Sequence, residues 1–286
     1  MKRIITAKPI NVPMATARVY SRELCAMIRQ MAKEFRSALV VYKQKQDQIA
    51  VDASDGSWLT TDIEERLKKL GDRWTERFKE YADNHSPAMV KRILKQTDLQ
   101  LKSTLKDWFS AERMTLISET IPMALRQSMK AHIAENISLI RSIPAQYLER
   151  VQGAVTRAIT GGISYKQLVE EVMSFQAKGL RRAELLAQDQ VHKISTTCAL
   201  RRYEQVGIKR FRWEHSGAGR EPRPYHIRKW DGHSGKKDGH PNGLNGFEFD
   251  LSMLPVIQEQ HGKQKEIRGL PNQLPYCRCS LIPIVE

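Results

Sequence analysis

Two cysteines one residue apart, Cys277 and Cys279, are preceded by histidines at 215, 226, 233, 240 and 261. Thiolate and imidazole are the donors zinc prefers, four of them set tetrahedrally. They lie in a stretch from Trp213 to Ile284 that is broken repeatedly by Gly and Pro and is poor in apolar residues. Such a segment cannot be a helix and has little core of its own, so its His and Cys residues are the natural fasteners. A metal bound there would supply folding energy directly. The Cys-x-Cys spacing is tighter than the usual Cys-x2-Cys, and no second pair accompanies it. The alternative, thiols and imidazoles that only hydrogen-bond in a turn, therefore stays open.

Other groups suggest other chemistry. Asp231, Asp238 and Asn242 stand among the same histidines, a donor set that could hold a divalent ion for phosphodiester cleavage. His240-Pro241-Asn242 superficially resembles a nuclease loop, but Gly239, Gly243 and Gly246 around it predict a surface loop rather than a strand–helix frame. Asp189 and His192 share a helix face and form either an acid–base pair or a solvated surface pair. No glycine-rich phosphate loop or Gly-x-Ser-x-Gly elbow is present. A basic cluster, Arg220, Arg223, Arg228, Lys229, Lys236 and Lys237, offers guanidinium forks and ammonium groups that suit phosphate and carboxylate equally. DNA and an acidic protein surface are both candidate partners for it.

The whole chain carries a net charge of +15. By segment the balance is +7 over residues 1–50, −1 over 51–100, +3 over 101–180 and +6 over 181–286, so the charge sits towards both ends. This favours polyanionic partners. Aromatic residues make up 7% and do not interleave with basic ones, which argues against stacking on single-stranded bases and for contact with a duplex backbone or an acidic protein. No apolar run is long enough for a membrane span. The N-terminus has basic residues without the apolar core of a signal peptide, so a reducing cytoplasm is expected. Four cysteines in a chain of this length do not make a disulfide framework, and Cys25 and Cys198 read as buried small hydrophobes.

The elements that must position these groups are mostly helical. Residues 1–17, with Pro9 and Pro13, read as an extended basic arm that docks on a partner or frays. From Arg18, Leu24, Met27, Ile28, Met31, Phe35 and Leu39 form one stripe. Thr61 and Glu64 make a capping box ahead of Ile63, Leu67, Leu70, Trp74, Phe78 and Tyr81. Ser86-Pro87 is expected to start a new helix with Val90, Leu94, Leu101, Leu105 and Trp108, and Pro122 to end or kink one. Ser142 to Pro144 is expected to open another, bearing Leu148, Val151, Val155 and Ile159, stopped at Gly161-Gly162. Ser164 with Gln167 caps Leu168, Val172 and Phe175, and a long helix runs from about Arg181 to Gly207. Beyond it the period becomes two, at Phe211 and Trp213, at Phe247, Phe249 and Leu251, and at Leu281 to Val285. The expected fold is α+β: a helical region over residues 1–180 for docking, then a small α+β domain over 181–286 that includes the long helix.

The C-terminal residues resemble the Mu F-like minor head proteins of tailed phages, the phage head morphogenesis family. The resemblance runs from Leu186-Ala187-Gln188-Asp189-Gln190 through Tyr203-Glu204-Gln205-Val206-Gly207-Ile208 and Phe211-Arg212-Trp213 to His215-Ser216-Gly217. It continues in Arg220-Glu221-Pro222-Arg223-Pro224-Tyr225-His226 and Asp231-Gly232. It ends in Gly269-Leu270-Pro271 and Cys277-Arg278-Cys279-Ser280-Leu281-Ile282-Pro283. Ser142 to Leu148 matches an element of the helical part. The resemblance implies a non-catalytic virion protein held at the portal inside the capsid, present in the host cytoplasm during assembly. Its implied work is head assembly, with DNA packaging or ejection. The implied partners are the portal protein, the major capsid or scaffolding protein and packaged double-stranded DNA, with no membrane. Some relatives carry a Cys-x2-Cys pair ahead of the Cys-x-Cys, which looks like a zinc site. Here Arg223 and His226 occupy those places, leaving His226, Cys277 and Cys279 as the ligands for one structural zinc. The competing classes are a metal-dependent nuclease and a non-specific duplex DNA-binding protein.

Overall fold

The computed structural model describes residues 5–6, 9–49, 61–106, 123–160, 163–217, 223–227, 243–260 and 265–285. The class is α+β, as expected. Four long helices, α1 (Met14–Ile49), α2 (Thr61–Lys106), α3 (Met123–Ile159) and α4 (Tyr165–Gln205), come before most of the strands. Those strands are β1 (Ile5–Thr6), β2 (Arg210–Glu214), β3 (Glu248–Asp250), β4 (Val256–Gln260), β5 (Lys265–Arg268) and β6 (Ser280–Val285). A 3-10 turn, Pro224–His226, lies between β2 and β3. No helix among the described residues is long and apolar enough to cross a membrane.

The helices are longer than the local signals predict. Ser86-Pro87 does not open a helix: α2 runs through it, with Ala82 and Val90 fully buried on either side. The Ser86 hydroxyl donates to Asn136 Oδ1 at 2.9 Å instead of capping. Pro144 likewise sits inside α3, and Ser142 turns back on its own helix, donating to the Leu139 carbonyl at 2.7 Å. A proline removes one helical hydrogen bond. Burial of the flanking turns outweighs that loss in both helices. The helix expected from Arg181 is the second half of α4, which starts at Tyr165 and passes Gly179, where a Cβ would approach Ile28 Cγ2 to 3.3 Å.

Both ends of α4 match the sequence. The Gln167 amide carbonyl accepts the Ser164 N–H at 2.8 Å, and the Ser164 hydroxyl accepts the Gln167 N–H at 3.3 Å, a reciprocal capping box. At the other end Gly207 has φ +78°, its N–H reaches Glu204 O at 3.1 Å, and the Ile208 N–H reaches Tyr203 O at 2.9 Å. This is the six-to-one, five-to-two pattern that closes a helix on a left-handed residue. The Thr61–Glu64 box, Trp108, Pro122 and Gly161-Gly162 lie outside the described residues or side chains.

The chain forms two compact units that interleave along the sequence. One unit comprises 17–89 and 133–187, the other 1–16, 90–132 and 188–286. Helices α2, α3 and α4 are long enough to contribute to both. The described residues of the first unit are almost all helical. The stripe Leu24, Ile28, Met31, Phe35 and Leu39 is at most 1% exposed, and Phe35 meets Tyr147 edge-on with centroids 5.6 Å apart. Cys25 is buried there, as expected, and burial raises its pKa.

The second unit packs the end of α4 with a sheet of order β1-β6-β2-β3, antiparallel throughout. Phe211 and Trp213 on β2 are completely buried, and Phe211 faces Phe249 with centroids 5.7 Å apart. Residues 5 and 6 of the basic arm are paired: Ile5 opposes Val285 and Thr6 opposes Ile284. The polar hairpin β4–β5, with a bulge between Val256 and Gln258, gives no alternating signal in the sequence. The α4 face of this unit is tied down by polar pairs, Thr97 with Ser195 at 3.1 Å and Arg202 with Asp98 at 2.6 Å. Cys198 is buried beside them and pushed up to about 12.

The left-handed end of α4 yields a test. Gly207→Ala meets nothing within 4 Å, so its cost is backbone strain alone, about 1 kcal/mol. Chemical denaturation should show a correspondingly lower midpoint with no change in helical content.

Candidate metal centre

Three segments meet at the Cys277–Cys279 turn. The 3-10 turn brings His226, the end of β2 brings Trp213, and the loop between β5 and β6 brings both thiols. His226, Cys277 and Cys279 are 3%, 4% and 2% exposed. His226 Nδ1 stands 3.6 Å from Cys277 Sγ and 3.5 Å from Cys279 Sγ, and the three donor atoms lie within 4.8 Å of one another. The Trp213 ring meets the imidazole edge-on, with centroids 5.1 Å apart and planes at 68°, fixing its orientation.

The thiols are unequal. A hydrogen bond from Cys279 holds Cys277 well below the usual thiol range, with His226 acting in the same direction against the effect of burial. The same bond, with burial, pushes Cys279 up, while the Trp213 indole and the Ser216 amide pull it the other way. Of the two, Cys277 is the sulfur whose surroundings favour the thiolate. The Asn272 N–H points at Cys277 Sγ at 3.4 Å, a backbone donor of the kind that steadies a sulfur anion.

The donor set fits a tetrahedral zinc ion. Zinc–sulfur and zinc–nitrogen bonds of about 2.3 and 2.0 Å put sulfur and nitrogen about 3.5 Å apart along a tetrahedral edge. The observed separations of 3.5–3.6 Å match that edge. His226 Nε2 is buried without a hydrogen-bond partner among the described residues. Nδ1 is thus the nitrogen directed at the sulfurs. Three protein donors leave one tetrahedral position to be filled from outside this set.

The loop is held in place by α4. Asp189, buried on the helix, accepts the Tyr276 N–H at 2.6 Å and pairs with Lys193 at 3.0 Å. One turn and more along the same helix, Thr196 Oγ1 accepts from Asn272 Nδ2 at 2.8 Å, and Gln188 accepts from Arg278. From the other side Arg223 donates to the Pro275 carbonyl at 2.7 Å. Asn272 and Tyr276 adopt positive φ, 64° and 60°, which these anchors sustain. Asp189 is therefore a loop anchor rather than half of an acid–base pair. His192 feels Arg278 and Cys277, and burial and the Arg278 charge lower its pKa.

Of the basic cluster, only Arg223 falls within the described residues, and it clamps this loop. Arg220, Arg228, Lys229, Lys236 and Lys237 lie outside them, as do His233, His240, His261, Asp231, Asp238 and Asn242. His215 is described, and its Nδ1 accepts the Gly217 N–H at 3.1 Å. Sequence reasoning did not single out Asn272, Thr196 or Trp213 as site residues. Only the positive-φ tolerance of an asparagine after Pro271 hints at the first.

Residues 149–282 match the family model described as Phage Mu protein F like protein. This segment is similar to that family. It takes in the end of α3, all of α4 and every residue of the centre just described. An uncharacterized protein of Haemophilus influenzae is 26% identical over 210 residues, covering 73% of this chain and 45% of that relative. The chain thus spans less than half the length of the relative it matches. No solved structure matches.

The Mu F-like segment makes its own prediction. Replacing Asp189 by Ala removes the acceptor of the Tyr276 amide and the ion pair to the partly buried Lys193. The loss should be about 2–3 kcal/mol. A denaturation midpoint equal to that of the unaltered chain would contradict the anchoring role.

Proposed function

We propose that the chain is a structural component of a phage head, bound at the portal inside the capsid, and that a single zinc ion fastens its small sheet. Assembly would take place in the host cytoplasm, and the protein would act in head building and in DNA packaging or ejection. The observation that carries this is the coincidence of the Mu F-like match with a Cys2His centre whose three donors are buried. Trp213, Asn272 and the α4 anchors around those donors suit holding loops together, with the fourth position left to a further donor or water. His226, Cys277 and Cys279 would hold the ion, which would lend the loop folding energy. The net charge of +15 supports partners of acidic character, the portal or shell protein and packaged duplex DNA.

Two measurements test the proposal. Protein purified without chelators should carry about one zinc per chain, and Cys277→Ser should lose it and unfold at lower denaturant. Metal-free wild-type protein would remove the zinc from the proposal. The portal protein of the same phage should co-purify with the chain at low and moderate salt. No capture at either, or metal-dependent nicking of plasmid DNA that His226→Ala abolishes, would replace the structural role with another.

A further inference from the structure

The first unit holds a groove that the metal centre and its family do not account for. Helices α1 and α2 run antiparallel, Glu23 meeting Tyr81 and Glu34 meeting Arg73. Between them opens a cavity of about 490 Å³, walled by Lys33, Arg66, Lys69, Arg73 and Arg77 and floored by Ala38, Val41 and Leu70. Among the described residues the only acid lining it is Glu34. Five cations line the cavity with it, one of them, Lys69, paired with Glu65 beside the groove at 2.6 Å.

That carboxylate organises the wall. It accepts from Arg73 at 2.7 Å, from the Trp74 indole at 3.1 Å and from Gln30 at 3.1 Å, with Arg77 at 3.6 Å. Burial opposes its ionisation, but these hydrogen bonds and the two guanidinium charges hold it below the ordinary carboxylate range. Arg77 also lies over the Trp74 ring, 4.7 Å from its centroid. Two guanidinium groups sharing one carboxylate keep donors to spare. Lys33 and Arg66 make no hydrogen bond or ion pair among the described residues. Val41 in the floor is 38% exposed.

We propose that this groove docks an acidic amphipathic helix of a partner protein. From Arg66 to Arg77 the wall runs about 16 Å at 1.5 Å per residue, the length of three helical turns. A helix laid there would put apolar side chains on Val41, Ala38 and Leu70 and its flanking carboxylates against the cations on both rims. A nucleic-acid backbone is the poorer occupant, because phosphates gain nothing from an apolar floor and meet solvated cations equally well elsewhere. The inference rests on the particle-protein proposal only in supposing a protein partner.

The test uses the whole chain and three fluorescent probes: a short helical peptide with leucines on one face flanked by glutamates, its counterpart with lysine at each glutamate position, and a short mixed-sequence duplex. The glutamate peptide should bind, and the Lys33→Glu/Arg66→Glu double variant and Val41→Asp should each weaken it about tenfold with unchanged circular dichroism. The lysine peptide should not bind. The inference is overturned if the glutamate peptide does not bind, if both variants leave its affinity intact, or if the double variant weakens the duplex more than the peptide. Failure of the glutamate peptide to bind leaves the particle-protein proposal standing, since that is read by portal capture.

Discussion

A sheet whose strands are two to six residues long cannot bury enough apolar surface to hold its own loops. The constraint is met by α4, whose Asp189 carboxylate takes the Tyr276 N–H at 2.6 Å and so sets where the following cysteines point. Thr196 and Gln188 secure the same loop on either side of that contact. With the loop docked on the helix, β6 leaves it in register with β2, and Cys277 and Cys279 face the imidazole that the 3-10 turn carries. The helix, the loop and the sheet are thus one mechanical unit, and the carboxylate is its hinge pin.

The centre that results is economical in its parts. Sulfur and nitrogen already stand at the separation zinc would impose, so a metal would arrive at a preformed site with little rearrangement. The Cys277 sulfur, its pKa held down by Cys279 and His226, is buried beside an imidazole and a backbone amide, surroundings that a bound cation would complement. Arg223 grips the loop from outside through the Pro275 carbonyl.

Much of this was written in the residue types. Ser164 and Gln167, Gly207, and the alternation at Phe211 and Trp213 announce the ends of α4 and the start of the sheet because each depends on contacts a few residues away. Continuity through Pro87, Pro144 and Gly179 was not legible, since it is decided by what those turns bury against distant helices. The pairing of Ile5 and Thr6 with β6 joins the two ends of the chain, and no local pattern encodes that. At the centre, the Cys and His residues were visible as donors from the start. Which histidine joins the thiols was supplied by family resemblance and agrees with the geometry, whereas the anchoring role of Asp189, almost ninety positions before its partner, needed the fold.

Zinc-edge X-ray absorption on the metal-loaded chain addresses the centre most directly. The account predicts a first shell of two sulfurs at about 2.3 Å with nitrogen or oxygen at about 2.0 Å, and loss of one sulfur in Cys279→Ser. A shell made only of nitrogen and oxygen donors would contradict it.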